Sequence, residues 1–465
     1  MAAASEVVGG PHGRHSAGHP WWTPVRVVLA LAAVAWLLAL VQKTPCVLDG
    51  WSGDDTRYAR MCYSDVPYLY VGRGLAERRV PYADTGGRYP DLEYPVLIGL
   101  VAYGGAVATQ ALHGWPDVDQ RRALPVDQVH AAPGVEAERR DSFVVTAVLL
   151  APLLLLTAWF LAGANPGRPW DAAGFVLAPA LVLTGLINWD LVATALLAGA
   201  FWAWARDRPV LAGVMVGLGT AAKLYPVFLL GAFLVVALRR RRLGDFGAAT
   251  AGAAAAWLVV DVPFLLYGTE GWLGFWRFNA DRGVDLGSLW LVAQQLGHTA
   301  SPETINLTSW VVLCAVSLAV LVLGLRAPEV PRVPQLMLLV LLGFLLVNKV
   351  YSPQYVLWLL PVAALARPRW RDLLVWQAGE VFYFAMVWFH LGGFTAPAAT
   401  GGQDVAYGLA IVLRVAAELW LGAVVVRDVL RPERDPVRAW EARAPGGLRA
   451  RSGQSSATRS NAVVV

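Results

Sequence analysis

The chain has 465 residues, 57% of them hydrophobic and 15% charged, with a formal net charge of +5. That balance excludes an ordinary soluble domain and fits a polytopic membrane protein. The positive charge does not mark a nucleic-acid binder, because the basic residues gather at the ends of apolar runs, as at 239–242 and 367–371; this is the pattern of cytoplasmic loops.

In chain order, residues 1–20 are rich in Gly, His and Pro and read as a disordered cytoplasmic N-terminus. The first apolar run, 25–41, lacks a small-residue cleavage site after it, so it reads as a retained spanning helix, not a signal peptide. Further runs fall near 94–112, 142–163, 172–187, 190–205, 209–238, 246–268, 305–325, 335–348, 354–366, 372–393 and 405–426. Residues 431–465, Arg-rich and then Ser-rich, read as a disordered cytoplasmic tail, which leaves 21–430 as one multi-pass domain. The expected fold is all-α: a transmembrane helix bundle with a short external juxtamembrane helical segment after the first span.

Basic residues order the second half with 239–242, 326–332 and 367–371 inside. The first half admits two topologies. Either each run crosses once, or 209–238 is a hairpin broken at Lys223-Leu-Tyr225-Pro226 and 94–112 dips in without crossing. We favour the hairpin, which puts Asp190 and Lys223 on the same side as Asp65.

Of 38 basic residues only Lys43, Lys223 and Lys349 are lysines. With abundant Ala, Gly and Val, this bias suggests a GC-rich bacterial genome. Lys223 and Lys349 are kept inside apolar segments, where an ionisable group is costly and marks function. A snorkelling lysine is the plain alternative for Lys223; contact with a phosphate is the functional one.

The polar segment 62–95 carries the densest chemistry. Ser64-Asp65-Val66-Pro67 reads as a helix start. Asp65 is either a cap or a general base on a helix along the membrane surface, where apolar surroundings raise a carboxyl pKa. Glu93, in Glu93-Tyr94-Pro95, is an interfacial acid or a second carboxylate facing the same cavity. Asp190, in Asn188-Trp189-Asp190, caps a turn or orients Lys223 or a sugar hydroxyl. The loop at 275–290 mixes Arg277, Arg282 and Trp290 with acids and amides; aromatic faces suit sugars and arginines suit phosphate. Lys349 and Gln354 sit in a polar break at 348–355. Glu380 and His390 lie in a later helix with aromatics, where a lone Glu or His is either structural or functional. Cys46 and Cys62 share the first external loop and are a candidate disulfide in an oxidising exterior. Three scattered cysteines with no histidine spacing make no metal site.

Tyr63-Ser64-Asp65-Val66-Pro67-Tyr68, Arg73-Gly74-Leu75, Val80-Pro81-Tyr82, Glu93-Tyr94-Pro95, Asn188-Trp189-Asp190, Gly219-Thr220-Ala221-Ala222-Lys223-Leu224-Tyr225-Pro226 and Asn348-Lys349-Val350-Tyr351-Ser352-Pro353-Gln354-Tyr355 occur in this order. Over roughly 25–425 the chain thereby resembles glycosyltransferase family 87 of the GT-C class, the polyprenyl-phosphate-mannose-dependent mannosyltransferases. The resemblance implies a GT-C-type bundle that transfers a hexose, mannose first, from a polyprenyl phosphate to a lipid or glycan hydroxyl, with inversion. The site would face the outside of a bacterial plasma membrane. Asp65 would be the base; Lys223, Arg277, Arg282 and Lys349 would hold the donor phosphate; Glu93, Asp190, Tyr225, Trp290 and Gln354 would meet sugar or acceptor. The partners would be the polyprenyl-phosphate sugar as co-substrate, the acceptor and membrane lipids, with no metal, cofactor or nucleic acid. The charged loop 113–141 has no assigned role. A multi-pass transporter of a small or lipid-linked solute is the rival reading, although it predicts internal repeats that the sequence does not display. A non-catalytic envelope scaffold explains the helices but not the lysines.

Overall fold

A computed structural model describes residues 21–83, 87–165, 167–396 and 404–443. The expected disorder at 1–20, and the part of the expected tail after residue 443, lie outside these residues. Among the described residues the fold is all helix, without strands. Five helices are long and apolar enough to cross a membrane.

Helix α1 (Pro24–Leu48) starts where the Thr23 hydroxyl accepts from the Arg26 N–H, with Pro24 in the first turn. Its outer face leaves Leu37 and Val41 more than half exposed, and Trp310 and Val259 do the same on later helices. Apolar side chains outside and charged ones such as Asp190 and Arg414 inside is the arrangement that lipid, not water, imposes.

The chain then makes α2 (Asp54–Ala59), α3 (Asp65–Gly72), α4 (Val96–Leu112), α5 (Val118–Arg122) and α6 (Val135–Ala164). Helix α6 runs antiparallel to α1: Arg139 donates to the Gly50 carbonyl near one end, and Trp36 to the Ala147 carbonyl further along. Helix α4 lies along the segment that follows α3. Its start adjoins Tyr82, whose hydroxyl donates to the Tyr94 and Pro95 carbonyls. At its other end Gln110 donates to the Leu75 and Ala76 carbonyls. Both ends are therefore tied to the segment that follows α3.

Short helices α7 (Ala173–Val176) and α8 (Pro179–Thr184) lead back to that same end, where the Asp65 N–H donates to the Ile187 carbonyl at 2.7 Å. Helices α9 (Leu191–Trp204), α10 (Pro209–Ala222) and α11 (Phe228–Arg240) are each about 20 Å long at 1.5 Å per residue. The run at 209–238 is a hairpin. The Lys223 backbone is extended, and the Asp207–Arg242 ion pair at 3.1 Å closes its open end. Helix α12 (Leu243–Tyr267) then runs parallel to α10. A Cβ on Gly213 would meet the Ala249 carbonyl oxygen at 1.9 Å, and one on Gly217 the Ala253 carbonyl oxygen at 2.2 Å. Only glycine permits backbones this close.

The remainder comprises α13 (Thr269–Asp281), α14 (Leu289–Gln295), α15 (Pro302–Arg326), α16 (Val333–Val347), α17 (Val356–Ala366), α18 (Trp370–Leu391), α19 (Val405–Leu430) and α20 (Pro436–Glu441). Helix α17 is buried along its whole length, at the centre of the bundle.

The expected tail begins later than 431. A 3-10 turn at Pro432–Arg434 and α20 dock on the bundle through Asp435, which is fully buried and accepts from Arg332 at 2.8 and 3.0 Å. Composition reads this stretch as disordered because its arginines look solvated; Arg332 supplies a partner from more than 100 residues away.

Candidate active site

One end of the bundle gathers the polar motifs around a cavity of about 540 Å³. Asp65 opens α3, but the cap of that helix is Ser64, whose hydroxyl accepts from the Val66 N–H. The Asp65 carboxylate is left to face the cavity, where it accepts hydrogen bonds from Tyr94 at 2.7 Å and from Tyr63. Burial raises its pKa above the ordinary carboxylate range, against the lowering pull of those two hydroxyls and of Lys223.

Lys223 lines the same cavity, 4.5 Å from the Tyr94 ring centroid and 3.0 Å from Asp190. It reaches the cavity because α10 stops: Pro226 cannot continue the helix, and the lysine leaves it in extended conformation. Asp190 lies behind, fully buried, and takes a second bond from the Trp358 indole at 2.9 Å. Of its three expected positions, cap, partner of Lys223 or contact of a sugar, the geometry has the ion pair with Lys223; its side chain makes no cap hydrogen bond and does not line the cavity. Tyr225 borders the cavity and stacks on Trp358, with ring centroids 4.7 Å apart.

Glu93 lines the cavity as an ion pair with Arg73. Arg282 lines it too, paired with Asp285 at 2.5 Å. Lys349 and Gln354 complete the far wall. The Lys349 ammonium is held by neutral oxygens: the Asn279 carbonyl, the Ala280 carbonyl at 3.4 Å and the Asn306 amide at 2.8 Å. Burial lowers its pKa, and the nearby Arg282 adds to the effect.

Two expected site residues are elsewhere. Arg277 points out from α13 and pairs with Glu270 at 2.6 Å, its side chain 57% exposed. Amphipathic α13 turns only one face to the cavity, the one carrying Phe275, Phe278 and Asn279. Trp290 donates to the Val347 carbonyl at 2.9 Å and does not line the cavity; it packs α14 against the end of α16. Cys46 and Cys62 are joined by a disulfide with Cα atoms 5.7 Å apart, which ties the end of α1 to the approach to Asp65.

Sequence reading missed several cavity residues: Arg73, Tyr94, Asn279, Tyr355, Trp358 and Trp388. It also missed Lys43, which is buried in α1 and donates to the Tyr63 carbonyl at 2.8 Å, two residues before Asp65. All three lysines of the chain thus serve this end. The lysine-for-arginine bias that singled out Lys223 and Lys349 could have found the third. The loop 113–141 gains a role as a buttress. Arg121 pairs with Glu138 at 2.5 Å, and Glu138 accepts from Tyr70 on α3 at 2.6 Å.

Next to the polar cavity is a second of about 740 Å³ between α10, α11, α12, α15 and α16. Its walls are mainly apolar, with Phe228, Trp257, Trp310 and Leu313, and it shares Leu224, Tyr225, Phe275, Asn279, Phe344, Asn348 and Lys349 with the first. On the other side of Asp65, Tyr58, Tyr63 and Trp388 form an aromatic wall, with Tyr63 and Trp388 centroids 5.3 Å apart. Among the described residues no three His, Cys, Asp or Glu side chains come together as a metal would need.

The fold and site are those of a multi-pass helical membrane protein with a polar cavity built at one end of the bundle. Residues 141–353, just under half of the chain, match the model of glycosyltransferase family 87. The chain resembles that family, and the match indicates a membrane glycosyltransferase. No curated protein matches the chain. The matched segment includes Asp190, Lys223, Tyr225, Arg282 and Lys349; Asp65, Glu93 and Gln354 lie outside it.

Proposed function

We propose that the protein transfers a hexose, mannose in the first instance, from a polyprenyl-phosphate carrier to a hydroxyl of a lipid or glycan acceptor, on the outer face of a bacterial plasma membrane. The observation that carries this reading is the meeting of Asp65 with Lys223, Arg282 and Lys349 around one cavity that continues into an apolar one. The apolar cavity suits an isoprenoid chain, and the shared edge at Lys349 suits the phosphate that joins chain to sugar. The aromatic wall beside Asp65 suits a sugar ring of the acceptor.

In this mechanism Asp65 accepts the proton of the acceptor hydroxyl as its oxygen bonds to the anomeric carbon. The bond from that carbon to the phosphate oxygen breaks, and polyprenyl phosphate leaves with the electron pair. Attack opposite the leaving group inverts the anomeric centre. Cations facing the phosphate stabilise the charge that develops on it. Lys349, held by neutral oxygens, is better placed for this than Lys223, whose charge Asp190 already balances. We assign no resident cofactor; the lipid-linked sugar is a co-substrate.

The test is sugar transfer in membranes supplied with labelled polyprenyl-phosphate mannose, comparing wild type with Asp65→Asn. The variant keeps the shape and loses the basicity, so transfer should fall ~10²-fold or more with normal insertion. The base acts as a carboxylate, so wild-type activity should fall as pH drops through its raised pKa. The acid limb should therefore lie above that of an ordinary carboxylate. Full activity in the Asn variant would overturn the assignment.

A further inference from the structure

Between α18 and α19, directly behind the loops that carry cavity-lining Leu286, Val350 and Ser352, a charged cluster is buried in the bundle. Arg414 is 1% exposed; its guanidinium lies 3.5 Å from the Tyr351 ring centroid and bonds Glu418 at 2.8 Å and the Gly287 carbonyl at 2.9 Å. Glu380 accepts from the Tyr351 hydroxyl at 3.0 Å and from the Trp376 indole at 2.9 Å. Charges are costly at this depth, and none of these groups lines the cavity.

What they touch is informative. The Gly287 carbonyl belongs to the loop that carries Arg282, and Tyr351 to the loop that carries Lys349 and Gln354. The two loops are laced together, Tyr351 N–H to the Leu286 carbonyl at 2.7 Å and Asp285 N–H to the Lys349 carbonyl at 2.9 Å. Tyr383 donates to the Tyr351 carbonyl at 2.5 Å. Gly287 has φ +71°, and a Cβ there would meet the Tyr383 hydroxyl at 2.1 Å.

We propose that Arg414, supported by Glu418 and Glu380, is a positioning residue for the donor-phosphate site: it clamps the two loops in the register that puts Arg282 and Lys349 on one wall. This rests on the reading of that wall given above. A planar guanidinium can stack on Tyr351 while donating to Glu418 and Gly287 at once, and lysine cannot reproduce that geometry.

The probe is polyprenyl phosphate, compared with polyprenol, which lacks the phosphate, binding to the purified full-length protein in detergent. Arg414→Lys and Gly287→Ala should each weaken the phosphate by about tenfold, as loss of outer-shell support does, and leave polyprenol unchanged. Thermal melting identifies variants that are folded. If Arg414→Lys does not fold, Gly287→Ala and Tyr351→Phe, which keeps the ring but drops the bond to Glu380, decide the matter. A wild-type preference for phosphate over polyprenol in these folded variants overturns the proposal, as does equal weakening of both ligands. Lys349→Gln separates the two levels. If it lowers the preference while the clamp variants do not, only the positioning fails. If it leaves the preference intact, or wild type has none, the phosphate-site reading itself fails.

Discussion

At the end of the bundle remote from the cavity, Arg332 donates to Asp435 and to the Leu365 and Ala366 carbonyls, with both charged side chains at most 1% exposed. Arg367 likewise sits between Asp372 and Asp428, all three fully buried. At the cavity end the same kinds of group meet differently. Lys223 and Asp190 pair at 3.0 Å, yet one face of the lysine borders open space, as do Asp65, Arg282 and Lys349. The remote pairs are closed on all sides and can only hold helices together. The cavity pairs are closed on one side, so a substrate can compete for the other. Buried ion pairs alone do not mark a site; the proposed function rests on incomplete enclosure beside a cavity.

Breaking a closed pair should have the largest effect on folding. Arg332→Met leaves Asp435 buried without its main partner and should cost ~3–5 kcal/mol. Denaturation in detergent measures this, and limited proteolysis should cut first near 431–443. Transfer per folded molecule should not change; a specific loss of donor affinity would erase the distinction between the two ends.

The disulfide is a constraint of the cavity end. Removing it with Cys46→Ser opens a loop of sequence separation 16, for which the chain-entropy model gives ~3 kcal/mol. Mass spectrometry of unreduced peptides should recover the Cys46–Cys62 link, and free thiols at both positions would rule it out.

Lys223 sharpens the comparison because it belongs to both categories. Lys223→Met should raise the donor KM more than the acceptor KM and also lower the melting temperature, since it strands Asp190. Pairing it with Asp190→Asn should restore stability but not the donor KM. Recovery of both would make the lysine a purely structural partner. Lys223→Arg should be partly active, because a planar fork replaces a point charge.

The smallest effect is expected at Arg277, whose ion pair with Glu270 is solvent-exposed. Arg277→Ala should leave the melting temperature and both KM values unchanged. A raised donor KM would return it to the site.

Much of this was legible in the sequence because lipid makes a local demand. A run must be apolar along its length, so the segments from 25–41 to 405–426 announce themselves residue by residue. A lysine followed by Tyr225-Pro226 must interrupt its helix, and Ser64-Asp65-Val66-Pro67 must start one. The identity of the partners was not local. That Asp190 stands behind Lys223, that Arg277 faces away, that Lys43 holds the Tyr63 carbonyl and that Asp435 docks the stretch after 430 depend on which helix ends become neighbours. Hydropathy records the solvent around each residue, but an ion pair or a cavity forms between residues far apart in the chain. Only the packing of the helices decided those.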